Sequence, residues 1–433
     1  MLSRRARLLS YARRYPYHIP CPGTACREAN RWKPSRKLSG RTPAAKKEPP
    51  DFAFAFDIDG VLLRSATPIP GASQSLAYLQ QQQIPFILLT NGGGKHESQR
   101  VSDLSRSLSL TTPLTTQNFI QSHTPYADFL HNSSSGAGLS AHSTILVIGG
   151  SGNQCRSVAE SYGFKSVITP ADIFTSYPEI WPFSSVFDSY YSSFARPLPK
   201  PINPTSPSSS LKIDAVLIFH DPRDWALDTQ LVLDLLLSDS GILGTVSSRN
   251  GDKDLPNNGY QQHDQPPLYF SNPDLLWAAG WHLPRLGQGG FIHSLEGIWR
   301  RLTHGAELRR TVIGKPSALT YEFAEKRLDR YRRDLICQTM GSEMATPGTI
   351  RDLKKVYMVG DNPESDIMGA NNHKSQRGTE WVSVLVKTGV FREGESRYDF
   401  GKRPELKPRI IVENVRAAVD WALRKEEWEG RVE

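Results

Sequence analysis

Phe52-Ala-Phe-Ala-Phe-Asp57-Ile-Asp59-Gly-Val-Leu-Leu63 is the stretch that decides the fold. Its opening run is apolar on both faces, as a central strand of a parallel sheet must be. Side chains two apart point the same way, so Asp57 and Asp59 project into one pocket if extended geometry continues past the strand. Gly60 then lets the backbone turn. In open α/β sheets, ligands collect in the crevice beyond the carboxyl ends of strands, which is where this pair falls. Taken alone, Asp-x-Asp-Gly also fits calcium loops and ordinary turns.

Three further segments repeat the arrangement. Ile84-Pro-Phe-Ile-Leu-Leu-Thr90-Asn91-Gly92-Gly-Gly94 is an apolar strand ending in a hydroxyl, an amide and three glycines, whose free N–H groups suit a phosphate. Val312-Ile-Gly-Lys315-Pro316-Ser317 holds a lysine between a glycine and a helix-starting proline, where its ammonium can neutralise a phosphate or a carboxylate. Val356-Tyr-Met-Val-Gly-Asp361-Asn-Pro-Glu-Ser-Asp366 closes a third buried strand with carboxylates, the hard oxygen donors that magnesium takes together with waters and a substrate phosphate. Each has a plain structural reading: Thr90 as a cap, Lys315 as a solvated surface lysine, Asp361 as a helix N-cap.

Read together, the order Asp-x-Asp, strand-Thr, Gly-Lys-Pro and Gly-Asp-x4-Asp resembles the four motifs of the haloacid dehalogenase (HAD) superfamily. Thr90 and Lys315 stand 225 residues apart, far more than a connecting helix needs, so a domain is inserted between them. A large α/β cap at this point marks subclass IIA, and Asn272-Pro273-Asp274 followed by Gly287-Gln288-Gly289 is similar to that subclass's segments ahead of Gly-Lys-Pro. Ile120 to Tyr126, Asn272 to Trp277 and Val386 to Phe391 resemble a mitochondrial branch of the subclass. The resemblance implies an α/β fold: a Rossmann-like, doubly wound parallel sheet core with an inserted α/β cap.

It also implies a magnesium-dependent phosphatase acting on a small phosphorylated substrate. Asp57 is then the nucleophile, forming an aspartyl-phosphate. Asp59 is the general acid and base. Thr90, with Asn91 and Gly92, holds the phosphoryl oxygens, and Lys315 stabilises charge. Magnesium sits on Asp57, the Asp59 backbone carbonyl and Asp361, with Asp366 acting through water. A glycerophospholipid or sugar-phosphate substrate is one variant. The competing expectations are a catalytically weak HAD-fold protein that binds a ligand or partner, which would not need both Asp57 and Asp59, and a phosphotransferase. A homodimer is compatible with this reading, and the sequence fixes no oligomeric state.

Charge divides the chain. Nine arginines and four lysines against two glutamates give the first fifty residues a net +11; the whole chain is +8, so the rest carries −3. The basic character therefore belongs to the leader and is no nucleic-acid footprint. An Arg-rich, acid-poor start with hydroxyl residues and no long apolar run predicts a mitochondrial transit peptide and a matrix location. No stretch approaches the length of a transmembrane helix. Cys21, Cys26, Cys155 and Cys337 form neither a redox pair nor a zinc box.

The expected organisation is a leader over 1–50, core over 51–128, cap over 129–290 and core again over 291–433. Within the cap, Pro197 to Ser210 reads as a surface loop, and Ile213 to Phe219 as a strand ending in His220-Asp-Pro-Arg223-Asp224-Trp225. His123 and His220 are taken as structural, and Arg223, Asp224 and Trp225 as a strand-end salt bridge with a packed indole, contact of the three with a substrate's leaving group being the alternative. Asn272 and Asp274 are expected to shape the junction between cap and core.

Overall fold

The structure, a computed structural model, describes residues 48–130, 138–262, 264–340 and 351–432. The leader expected over 1–50, with Cys21 and Cys26, falls almost wholly outside the described residues. Two parallel sheets carry the chain. The first has the spatial order Ile410–Val412, Glu380–Val386, Lys355–Gly360, Phe52–Phe56, Phe86–Leu89, Phe119–Ile120. The second runs Thr311–Val312, Leu268–Phe270, Ala215–Ile218, Thr144–Ile148, Ser166–Ile168.

The alternation of Phe and Ala in Phe52–Phe56 assigns the two faces of the first sheet. Phe54 and Phe56 stack at 5.5 Å and pack with Leu76, Leu79, Leu104 and Val419. Ala53 and Ala55 turn the other way, toward Tyr321, Ala324 and Leu328 of the helix Ala318–Met340. Burying each phenylalanine contributes about 1.5–3 kcal/mol, so this strand anchors the sheet as well as the site.

Strand order reverses around Phe52–Phe56. The next strands in sequence, Phe86–Leu89 and Phe119–Ile120, lie on one side, and the three late strands lie on the other. That makes the end of Phe52–Phe56 a topological switch point, where the flanking loops diverge and leave a crevice.

The second sheet is covered on both faces. Leu146, Ile148, Val216 and Ile218 pack with the helices Trp225–Leu237 and Gln288–Leu302. Ile145, Val147 and Leu217 pack against Val158 and Ala159 of the helix Gln154–Tyr162. Pro197 to Ser210 is irregular apart from a short 3-10 turn at Pro207–Ser209.

The boundaries differ from those expected. Tyr126 and Phe129 already belong to the second body's core, so the first crossing comes before 128. Residues 291 to 312, assigned above to the first body, lie in the second. Phe291, Leu295 and Trp299 are in its hydrophobic cluster, and Thr311–Val312 pairs with Leu268–Phe270. The return falls at Ile313-Gly314, because a short edge strand with a half-exposed pattern leaves little trace in sequence.

Candidate active site

Register brings the motif residues together. Phe56 lies opposite Val359 on one side and Leu88 on the other. Asp57, Asp361 and Thr90 each follow within a residue or two of these positions, so all three leave the sheet at its carboxyl edge. The Asp57 amide is still bound to the Val359 carbonyl at 2.9 Å, and the Thr90 amide to Ile120 at 3.1 Å.

Lys315 binds two of the carboxylates. Its Nζ donates to Asp57 Oδ1 and to Asp366 Oδ1, both at 2.7 Å, with the lysine almost wholly buried. Asp366 spends its other oxygen on the backbone amides of Asp361 and Asn362, at 3.1 and 3.0 Å. Asp361 Oδ2 accepts from the Val390 amide at 2.5 Å. Acidic oxygens of Asp57, Asp361 and Asp366 lie within 4.8 Å of one another, and all three residues are buried. The surface-lysine reading of Lys315 and the simple cap reading of Asp361 are therefore set aside.

The electrostatics follow from several carboxylates gathered in one largely buried site. Burial pushes Asp57 up to about 7, with Lys315 opposing it and Asp366 and Asp59 adding to it. Burial also raises Asp59, against the opposing field of Arg100 and Lys315. Asp361 is driven well above the usual carboxylate range by burial and then by Asp57 and Asp366. Burial disfavours the Lys315 ammonium, but the two carboxylates outweigh it and keep the proton on.

Asn91 does more than its place in the sequence suggested. Its Nδ2 donates to the Lys315 carbonyl at 2.9 Å and to Asp274 Oδ2 at 3.0 Å, while its Oδ1 accepts from the Lys315 amide at 2.8 Å. The side chain thus pins the Gly-Lys-Pro backbone and ties Asp274 to the first body. A Cβ on Gly314 would sit 2.3 Å from the Ser271 carbonyl and 2.9 Å from Asn91 Oδ1, so only glycine lets these segments meet. Asn272 Oδ1 accepts from the Asp274 amide at 2.7 Å. Asn272 and Asp274 stand at the junction, and burial pushes Asp274 up to about 7.

The loop Thr388-Gly389-Val390 was quoted above only as part of a resemblance, and it packs directly on the carboxylates. A Cβ at Gly389 would lie 1.8 Å from Asp361 Oδ2, and Thr388 Oγ1 donates to the Gly60 carbonyl at 2.5 Å. A glycine between a hydroxyl and two apolar residues just past a strand was the available signal.

Thr90 Oγ1 accepts from the Gly92 amide at 3.0 Å, which shapes the loop. Asp59 faces the same loop, since a Cβ on Gly92 would stand 3.5 Å from its Oδ2. These groups open on one cavity of about 500 Å³ that also takes in Lys95, Arg100, His220, Asp221, Arg223 and Trp277.

His123 is wholly buried, stacked on Phe219 at 5.5 Å, with Nδ1 2.9 Å from the Tyr162 hydroxyl. His220 Nδ1 pairs with Asp221 Oδ2 at 2.8 Å at the cavity wall. Asp224 is structural: it caps the helix Trp225–Leu237 and accepts from Ser184 and Tyr191. Trp225 packs on Phe291 at 5.7 Å. The expected salt bridge is not formed: Asp224 spends its oxygens on the cap and the two hydroxyls, and Arg223 donates to the Asp221 carbonyl and lines the cavity instead.

Comparison with known proteins agrees with this geometry. Residues 54–165 match the family described as haloacid dehalogenase-like hydrolase, and residues 312–418 a HAD-hydrolase-like family. A mitochondrial hydrolase of Saccharomyces cerevisiae is 39% identical over 381 residues, covering 86% of this chain and 96% of the relative. A cardiolipin synthase (CMP-forming)/mitochondrial hydrolase fusion protein of Schizosaccharomyces pombe is 39% identical over 387 residues, covering 89% of this chain. The match takes up only about half of that fusion protein, 55%. Among solved structures, a possible sugar phosphatase of the HAD superfamily from Cytophaga hutchinsonii superposes with a TM-score of 0.50 at 17% identity, over 84% of this chain and 93% of that one. With its motif residues gathered at one sheet edge and a relative matched along nearly its whole length, the chain belongs to the haloacid dehalogenase-like hydrolases.

Proposed function

We propose that this hydrolase is a magnesium-dependent phosphatase that cleaves a small phosphate monoester through an aspartyl-phosphate on Asp57. The observation that carries the reading is the Lys315 ammonium held between Asp57 and Asp366 at the switch point, with Asp361 beside them.

The donor set fits a divalent cation. Three buried carboxylates share one lysine, which leaves Asp361 without a cationic partner among the described residues and its acidity strongly suppressed. Oxygen donors of this kind suit magnesium. Asp57, Asp361 and the Asp59 carbonyl would hold it, with Asp366 behind them fixing the amides of Asp361 and Asn362. Bound there, the cation supplies charge neutralisation between an anionic nucleophile and an anionic phosphate.

The chain's own residues account for the remaining steps. Thr90 and the amides of Asn91 and Gly92 orient the phosphoryl oxygens, and Lys315 keeps Asp57 placed and offsets its charge. An Asp57 oxygen forms a bond to phosphorus as the bond from phosphorus to the alcohol oxygen breaks. Asp59, whose raised pKa favours holding a proton, gives that proton to the departing alkoxide. Water then attacks phosphorus, Asp59 takes its proton, and the Asp57–phosphorus bond breaks to release inorganic phosphate.

The mitochondrial names of both relatives, with the Arg-rich leader, support a mitochondrial location. Fusion of one relative to a cardiolipin synthase supports a substrate from glycerophospholipid metabolism, with sugar phosphates as the variant. No helix among the described residues is long and apolar enough to cross a membrane. The test is phosphate release by the full chain over glycerol phosphates, sugar phosphates, nucleotides and pyridoxal phosphate, beside Asp57→Asn. Release that disappears in the variant and with chelator is the expected result. Release that persists in Asp57→Asn would refute the assignment.

A further inference from the structure

The cavity has two chemically different ends. Its floor is the carboxylate cluster with Lys315. Its outer wall is basic: Lys95 and Arg100 come from the first body, His220 and Arg223 from the second. Two of these four have partners already. Lys95 pairs with Asp103 at 2.9 Å, and His220 with Asp221 at 2.8 Å.

The two guanidinium groups do not. Among the described residues, neither Arg100 nor Arg223 has a carboxylate within ion-pair distance; Arg223 Nη1 donates only to the Asp221 carbonyl, at 3.0 Å. Arg100 sits one turn into the helix Glu97–Ser107, half-buried, and its field reaches Asp59. Arg223 follows the strand Ala215–Ile218 of the second body and lines the same cavity. Guanidinium forks from two different elements that line one cavity, neither in a carboxylate ion pair, suit an oxyanion in charge and in the donor pattern of each fork. The lining also takes in the apolar stretch Leu276, Trp277 and Ala278, which suits a short carbon linker.

We infer that the alcohol half of the substrate carries a second oxyanion, a carboxylate or a further phosphate, held by Arg100 and Arg223 while the scissile phosphate lies at Asp57. The inference rests on the phosphatase reading above and narrows its substrate class to phosphate esters whose alcohol half carries a second anionic group. Arg100 and Arg223 are specificity-determining residues, since they touch the leaving group and none of the reacting atoms.

The experiment uses the full chain as Asp57→Asn with magnesium, so that esters bind without turnover. Titration calorimetry compares three ligands with one three-carbon spacer: 3-hydroxypropyl phosphate, 3-(phosphonooxy)propanoate and propane-1,3-diyl bisphosphate. At least one of the two ligands with a second oxyanion should bind about tenfold or more tighter than the hydroxyl ligand, and which one distinguishes carboxylate from phosphate. Arg100→Gln and Arg223→Gln should each reduce that preference about fivefold or more, with partial recovery in the lysine variants. Equal affinities for the three, or a preference that survives both substitutions, overturns the inference. Phosphate release by the unmodified chain is read separately. Release without a preference sinks the second-oxyanion inference alone, whereas a preference without release sinks the phosphatase reading and upholds the anion site.

Discussion

The floor of the cleft and its outer wall hold their charges in opposite ways. On the floor, Asp57, Asp366, Asp361 and Lys315 are buried, and each is fixed by a named partner at 2.5–3.1 Å. On the wall, Arg223 is exposed, Arg100 half-buried, and neither is tied to a carboxylate among the described residues. A buried, mutually dependent set cannot change one member without stranding another, so damage there is large and indifferent to substrate. A solvated wall can vary at little cost to the fold, and its changes fall on selectivity.

The contrast is broken most severely at Asp57. Asp57→Asn leaves the side-chain shape nearly intact and removes the nucleophile, so phosphate release should fall at least about 10³-fold. The next largest effect is expected at Gly389→Ala. The added methyl would press on Asp361 Oδ2, at 1.8 Å before relaxation, and magnesium affinity should drop about 10–100-fold. A magnesium titration of activity measures it.

Asn91→Ala tests whether the floor is held from behind. It strands the buried Lys315 amide and carbonyl and one partly buried Asp274 oxygen, and should cost about 2 kcal/mol of stability by denaturant unfolding, besides lowering turnover. An Asn91→Ala protein as stable as the parent would mean that backbone packing alone holds Gly314-Lys315.

The smallest effect sharpens the comparison from beneath the loop. Burial pushes His123 down to about 4, with Glu97 opposing that shift and His220 and His96 adding to it. The unfolded chain, with an ordinary histidine near 6.5, binds the proton first. Stability is therefore full above that value and is lost as pH falls toward 4. The loss should amount to roughly 1 kcal/mol between pH 7.5 and 5.5, and His123→Phe should remove that part of the pH dependence.

Much of the floor was legible in sequence because Asp57, Thr90 and Asp361 each directly follow an apolar strand. Phe52–Phe56, Phe86–Leu89 and Lys355–Gly360 carry continuous buried runs, and the rules for parallel sheets then bring their ends together. The α/β class with an inserted domain followed from the 225-residue gap between Thr90 and Lys315. What stayed hidden depends on contacts between segments far apart in the chain. Asn91 meets Lys315 across 224 residues, and Asn91 meets Asp274 across 183. Neither pairing has a local signal. The return boundary was missed because Gln288–Leu302 is amphipathic enough for either body, and only its packing on Phe270 and Trp225 decides. Arg100 lies on a polar helix face that resembles any solvated surface until the second body is laid across it.

The central claim is that Asp57 itself takes the phosphoryl group. The most direct measurement is acid-quenched mass spectrometry of the full chain during magnesium-supported turnover of 4-nitrophenyl phosphate. The account predicts one hydroxylamine-labile phosphoryl adduct on the peptide containing Asp57, absent with chelator and in Asp57→Asn. Turnover without an adduct, persisting in Asp57→Asn, would contradict it.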